Sequence, residues 1–128
     1  MKRYPHPETG AIELAQVMEA LSDPTRLAIV AFLATPQGGS FESRCGSFTA
    51  FGSKSNLTYH LAKLREAGLT RTRIDGTARL ISLRADDLES RFPGLVATIV
   101  AAALSETDRA EMVRRAQAEA AAMTEVAG

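Results

Sequence analysis

The stretch that decides the fold runs Ser53-Lys54-Ser55-Asn56-Leu57-Thr58-Tyr59-His60-Leu61-Ala62-Lys63-Leu64-Arg65-Glu66-Ala67-Gly68-Leu69 and on to Arg84. Ser53 is a helix N-cap residue by type, and Gly68 is a C-terminal stop. Between them Leu57, Leu61 and Leu64 fall on one helical face, which predicts a helix over Lys54–Ala67. After Gly68 the period changes. Residues 69–84 are rich in Thr, Ile and Leu, with Asp75-Gly76 at their centre, the composition of a hairpin with a two-residue loop. With the leucine face packed inward, Ser55, Tyr59, Ala62, Lys63 and Glu66 point away, with Asn56 and Thr58 on the flanks.

Working outward, Leu14, Val17, Met18 and Leu21 share a helical face in Ile12–Leu21. Ser22-Asp23-Pro24 ends that helix and opens the next, Pro24–Ala34, which is apolar nearly all round and so predicted to be buried. Thr35 to Ser40 reads as a loop. A short helix is predicted from about Cys45 to Phe51. Beyond the hairpin lie a short acidic helix, Ala85–Arg91, a Pro93-Gly94 break, and an apolar helix, Leu95–Leu104, which needs a partner surface. Ser105 with Asp108 opens a last Ala-rich helix over about 106–123. The order is mainly α with a small β-hairpin: helix, helix, short helix, turn, helix, hairpin, helix, helix.

The 128 residues fit one domain, and 45% of them are apolar, enough for a core. Residues 1–9 are predicted to form an arm, 10–104 the domain, and 105–128 a helical tail. No apolar run approaches the ~18–20 residues of a membrane span. No apolar segment follows the charges of Met1 to Pro7, so the expected location is the cytoplasm. The single cysteine, Cys45, excludes an internal disulfide and metal sites built on two or four cysteines.

Fifteen basic and fifteen acidic residues balance overall. The balance hides a block. Residues 53–84 carry seven basic side chains (Lys54, Lys63, Arg65, Arg71, Arg73, Arg79, Arg84) against Glu66 and Asp75. A polyanion is attracted there and repelled by the acidic C-terminal third. A helix with short polar residues near its N-terminus suits base edges in the major groove, and a basic hairpin beside it suits phosphates or the minor groove. The expected DNA-binding residues are Lys54, Ser55, Asn56, Thr58 and Tyr59 for the major groove, Lys63 for phosphate, and Arg71, Arg73 and Arg79 for the hairpin. The three arginines need not share one face. His60, at the edge of the packed face, is expected to be structural or to contact a backbone phosphate.

Two segments at this spacing resemble the ArsR/SmtB-type winged-helix repressors. Leu21-Ser22-Asp23-Pro24-Thr25-Arg26-Leu27 looks like the start of their second helix. Ser53 through Leu61, with Lys63-Leu64-Arg65-Glu66-Ala67-Gly68-Leu69, looks like their recognition helix and its exit. Gly76 and Leu80–Leu83 match the wing. The likeness covers roughly residues 10–104. Cys45-Gly46-Ser47-Phe48 and Arg91-Phe92-Pro93-Gly94-Leu95 resemble a less-studied subgroup. The resemblance implies a homodimeric bacterial repressor on a palindromic operator. It also implies a dimer built from the first and last helices, here Leu14, Val17 and Met18 with Leu95, Val96, Ile99, Val100 and Leu104.

The chain departs from the family where metals are sensed. The region before the recognition helix holds Cys45 alone, and Leu95–Leu104 holds neither carboxylate nor histidine. The ligands of a tight transition-metal site are therefore missing, and neither metal nor cofactor is expected. A makeshift site from Cys45 and His6 of a partner arm is the remaining metal arrangement. Cys45 follows Arg44 at a predicted helix start, which lowers a thiol pKa and makes it a candidate redox sensor; the plainer reading is a small buried apolar side chain. A small molecule held between the terminal helices is a second candidate signal. An enzyme is disfavoured, since no phosphate loop or paired carboxylates appear. A winged helix used for protein contacts is the other rival, and the basic block counts against it.

Overall fold

The computed structural model describes residues 4–35, 43–44, 52–106, 114 and 116–122. The described elements are α1 (Leu14–Leu21), α2 (Pro24–Leu33), β1 (Ser43–Arg44), α3 (Lys54–Glu66), β2 (Thr70–Asp75), β3 (Ala78–Leu83), α4 (Ala85–Arg91) and α5 (Leu95–Glu106). This is a mainly α winged helix-turn-helix. The short helix expected over 45–51 and the loop after Thr35 lie outside the described residues. So does most of the predicted tail, of which 116–122 are helical.

The helix caps are those that the residue types require. Asp23 Oδ2 accepts the Arg26 backbone N–H at 3.0 Å, with Pro24 at the first helical position. Ser53 Oγ accepts the Asn56 N–H at 3.3 Å and starts α3. At the other end, Leu69 N donates to Leu64 O and Gly68 N to Arg65 O, each at 3.0 Å. Together these bonds make a Schellman ending, which requires the positive φ of 88° at Gly68.

The start of α1 differs from the periodicity. α1 begins at Leu14, not Ile12. Ile12 is extended, and Arg91 Nη2 and Nε donate to its carbonyl at 2.7 and 3.2 Å, so that carbonyl is held outside the helix. The apolar stripe of α1 also splits. Val17, Ala20 and Leu21 face the core, whereas Leu14 and Met18 are 48% and 50% exposed.

The sheet has three strands in the order β1-β3-β2, all antiparallel. β1 pairs Ser43 with Ile81 and Arg44 with Leu80, a strand of two residues too short to leave a periodic signal. The wing loop is Gly76-Thr77, one residue later than Asp75-Gly76, because Asp75 pairs with Ala78. Gly76 has φ 64°, and no non-glycine residue among those described has positive φ. The loop therefore has the left-handed first residue of a type II′ turn, and Asp75 stays in the ladder.

The core is one cluster of Ile12, Val17, Leu21, Ile29, Val30, Leu33, Leu57, Leu61, Leu64, Leu69, Ile81, Leu88 and neighbours. It lies between the helices and the inner sheet face, where Thr70 and Thr72 are also buried. α2 is its centre, as its all-round apolar composition requires. Ala116, from the predicted tail, also packs against this cluster.

A Cβ at Gly68 would lie 2.6 Å from Ile12 Cγ1, on a backbone that L-residues resist. Gly68→Ala is expected to cost about 2–4 kcal/mol through overpacking and left-handed strain. Equilibrium urea unfolding measures this, and a loss under ~0.5 kcal/mol would contradict it.

Candidate nucleic-acid interface

α3 is held by its buried side. Leu57, Leu61 and Leu64 are inside, and Ser55, Asn56, Thr58 and Tyr59 are exposed. Lys54 is the first residue of the helix. Tyr59 is 54% exposed, and Lys63 Nζ stands 5.7 Å from its ring centre one turn along, close enough for a cation–π contact. The helix therefore presents short hydrogen-bonding side chains toward its N-terminus and an aromatic–cation pair further on.

His60 is structural in this arrangement. It is buried, and Arg26 Nη1 lies 3.2 Å from its Nδ1. Since a guanidinium only donates, Nδ1 is the acceptor and the imidazole proton sits on Nε2. Burial and Arg26 lower the pKa of His60 against the opposing effect of Asp23, whose carboxylate is 3.8 Å away. The same Arg26 donates through Nε to Ala20 O at 2.7 Å. One side chain thereby ties the end of α1, the start of α2 and the middle of α3.

The wing divides its arginines. Register places Arg71 opposite Ser82 and Arg73 opposite Leu80 on the outer sheet face, and Arg79 opposite Ile74 on the other face. All three are exposed. Arg71 Nη2 lies 3.4 Å from Asp87 Oδ2, which also accepts from Arg84 Nε at 2.9 Å. Thr9 Oγ1 donates to the other oxygen at 2.9 Å. The bonds from Arg84 and Thr9 hold the Asp87 carboxyl below the usual carboxylate range. The two arginines at the base of the wing thus share the single carboxylate of Asp87, while Arg73 and Arg79 stand further up.

The N-terminal arm belongs to this surface. His6 Nε2 accepts the Thr72 backbone N–H at 3.0 Å, on the edge strand of the sheet. Arg84 Nη1 donates to Pro7 O at 2.8 Å. Tyr4 lies in a cleft lined by Thr58, Leu61, Arg65, Thr72, Arg79 and Ile81. The sequence places Arg65 and Arg84 in the basic block but gives them, Tyr4 and Asp87 no role in the site. The available signal was Tyr4-Pro5-His6-Pro7, in which each residue before proline is biased to extended backbone. Of the expected dimer residues, Val17 and Val100 are buried in the chain's own core. Leu95, Val96, Ile99 and Leu104 are partly exposed on α5, and Leu14 and Met18 are exposed on α1. Cys45 lies outside the described residues.

The family model for a helix-turn-helix domain matches residues 21–73, which include α2, α3 and the start of β2. A Bacillus subtilis (strain 168) protein named as an uncharacterized HTH-type transcriptional regulator, YceK, is 40% identical over 90 residues. The match covers 66% of this chain and 84% of that protein. The chain belongs to the helix-turn-helix transcriptional regulators. As a DNA-binding regulator of this kind it uses double-stranded DNA as its partner. No single helix among the described residues is long and apolar enough to cross a membrane.

The arm should respond to acid. Burial, then Arg65, Arg71 and Arg84, lower the pKa of His6, and only an unprotonated Nε2 can accept from Thr72. A lowered folded value means that arm docking is complete above the ordinary histidine value of ~6.5 and is lost as pH falls through the folded value. An NMR titration is expected to give His6 a midpoint below ~6.5, with loss of Thr72 amide protection on the acid side. A midpoint at or above that value would contradict the docked arm.

Proposed function

We propose that this regulator is an ArsR/SmtB-type homodimeric repressor, without the family's metal site, acting on a palindromic operator in the cytoplasm. Lys54, Ser55, Asn56, Thr58 and Tyr59 address the major groove. Lys63 contacts phosphate, and Arg71, Arg73 and Arg79 serve the wing. The observation that carries the reading is the exposed polar face of α3 beside a wing whose upper part is basic. Support for the type comes from the Asp23–Arg26 start of α2 and the Ser53-capped helix with its Gly68 exit. Release by a small molecule or by oxidation of Cys45 completes the proposal.

Support for the dimer comes from Leu14 and Met18. They stand one turn apart on α1, each about half exposed, and few large apolar side chains among the described residues are exposed. Leu95, Val96, Ile99 and Leu104 on α5 are the proposed second component of the interface. A two-fold dimer would turn two copies of α3 toward successive major grooves, which a palindrome matches.

Selection from random duplexes with the purified protein tests the DNA reading, and an inverted repeat is the expected product. Lys54→Ala or Tyr59→Ala is expected to weaken binding of the selected site by about 1–3 kcal/mol. Unchanged affinity in both would remove the recognition-helix assignment. For the dimer, Met18→Glu is expected to shift sedimentation from dimer to monomer with the fold retained. A wild-type monomer, or a Met18→Glu dimer, would overturn that part.

A further inference from the structure

We infer that Arg65 and Arg79, gathered about the ring of Tyr4 between α3 and the wing, form a seat for a backbone phosphate of duplex DNA, with the N-terminal arm as the third wall of that seat. The inference rests on the reading that α3 and the wing face the duplex. It adds Tyr4 and Arg65 to that interface.

The geometry starts from the arm. Tyr4 and His6 each precede proline, which biases both residues to extended backbone. Pro7 is held by Arg84 at the base of β3, and His6 by Thr72 midway along β2. Tyr4 is reached next, level with Arg79 nearer the tip. The arm therefore climbs beside the edge strand toward the loop of the wing. Two guanidiniums from different elements meet the Tyr4 ring there, Arg65 at 4.8 Å and Arg79 at 5.8 Å from its centre. Helical side chains lean toward the helix N-terminus, which carries Arg65 from the last turn of α3 back over Leu61 and toward Thr58.

The charges in this cleft differ from those at the base of the wing. Arg71 and Arg84 share Asp87. Among the described residues neither Arg65 nor Arg79 has a carboxylate partner, and Arg65 Nε is buried without a hydrogen-bond acceptor. A buried guanidinium N–H that lacks an acceptor is a place for an anionic oxygen. Two guanidiniums set against one ring, each a planar donor fork, suit phosphate above other groups. The field is also felt at His6, whose pKa is lowered by burial first and then by Arg65, Arg71 and Arg84. Thr58 from the recognition helix and Arg79 from the wing line the same cleft. A strand lying against both elements brings its phosphates across it.

The test measures binding of the full chain to its selected operator and to a random-sequence duplex of equal length, from about 50 to 200 mM salt. Arg65→Gln is expected to weaken both duplexes by a similar factor, about tenfold, and to lower the slope of log affinity against log salt by about one. Arg65→Lys keeps the charge and is expected to restore most of the slope. Tyr4→Leu keeps an apolar contact but removes the ring face, and is expected to weaken both duplexes by a smaller factor. It serves as the second variant if Arg65→Gln lowers the melting temperature. A folded Arg65→Gln or Tyr4→Leu protein with unchanged affinity and slope overturns the inference. Lys54→Ala and Tyr59→Ala separate the two failures. If they impair operator binding while Arg65→Gln does not, the phosphate seat alone is wrong. If none of the variants has an effect, α3 is not at the duplex and both readings fall.

Discussion

The angle at which α3 leaves the core depends on the guanidinium of Arg26. Its Nε reaches Ala20 O, Nη1 reaches His60, and its own backbone N–H is held by Asp23. A planar fork can donate in several fixed directions at once, and a lysine ammonium at the same place could not reproduce that set. Without Arg26, the Ala20 carbonyl and His60 Nδ1 would lose their donor in a partly buried setting, a cost of about 1–3 kcal/mol for each unsatisfied group. The fold uses this junction to aim a helix whose outer face has little packing of its own. Tyr59 adjoins His60, with ring centres 5.5 Å apart, so the exposed tyrosine stands directly on the buried anchor.

A second constraint acts at the exit of α3. Gly68 turns the chain through a left-handed residue against Ile12, and the Ile12 carbonyl is held by Arg91 of α4. The base of the wing is likewise fixed by Asp87, which gathers Arg84, Arg71 and Thr9. The wing is thus rigid where its charges are paired. The cleft above that base, where Arg65 and Arg79 both lie against the Tyr4 ring, holds cations without carboxylate partners among the described residues. Paired charges support the scaffold, and the proposed phosphate seat lies in the cleft above them.

Much of this was legible along the chain. Caps at Asp23 and Ser53, the stop at Gly68 and the leucine face of α3 are local features of backbone chemistry and helical period. The hairpin was legible too, but its loop was displaced by one residue, because a type II′ turn needs only Gly76 at positive φ and leaves Asp75 free to pair. Period alone puts the apolar stripe of α1 on one face. Packing against α2 and α3 rotated it, so that Val17 and Leu21 went inward and Leu14 and Met18 outward. Strand β1 left no trace, since two residues show no period.

The helices, the hairpin, the basic block and the polar outer face of α3 are written in local sequence. Each depends on residues within a few turns of one another, where period and cap chemistry are decisive. Which of the basic side chains meet a carboxylate depends on packing between distant elements. Arg71 meets Asp87, whereas Arg65 and Arg79 meet Tyr4. Packing also decided that the arm docks on the wing, since His6 and Thr72 stand 66 positions apart. Contacts across such separations follow from how whole elements pack. No pattern of spacing along the chain encodes that packing.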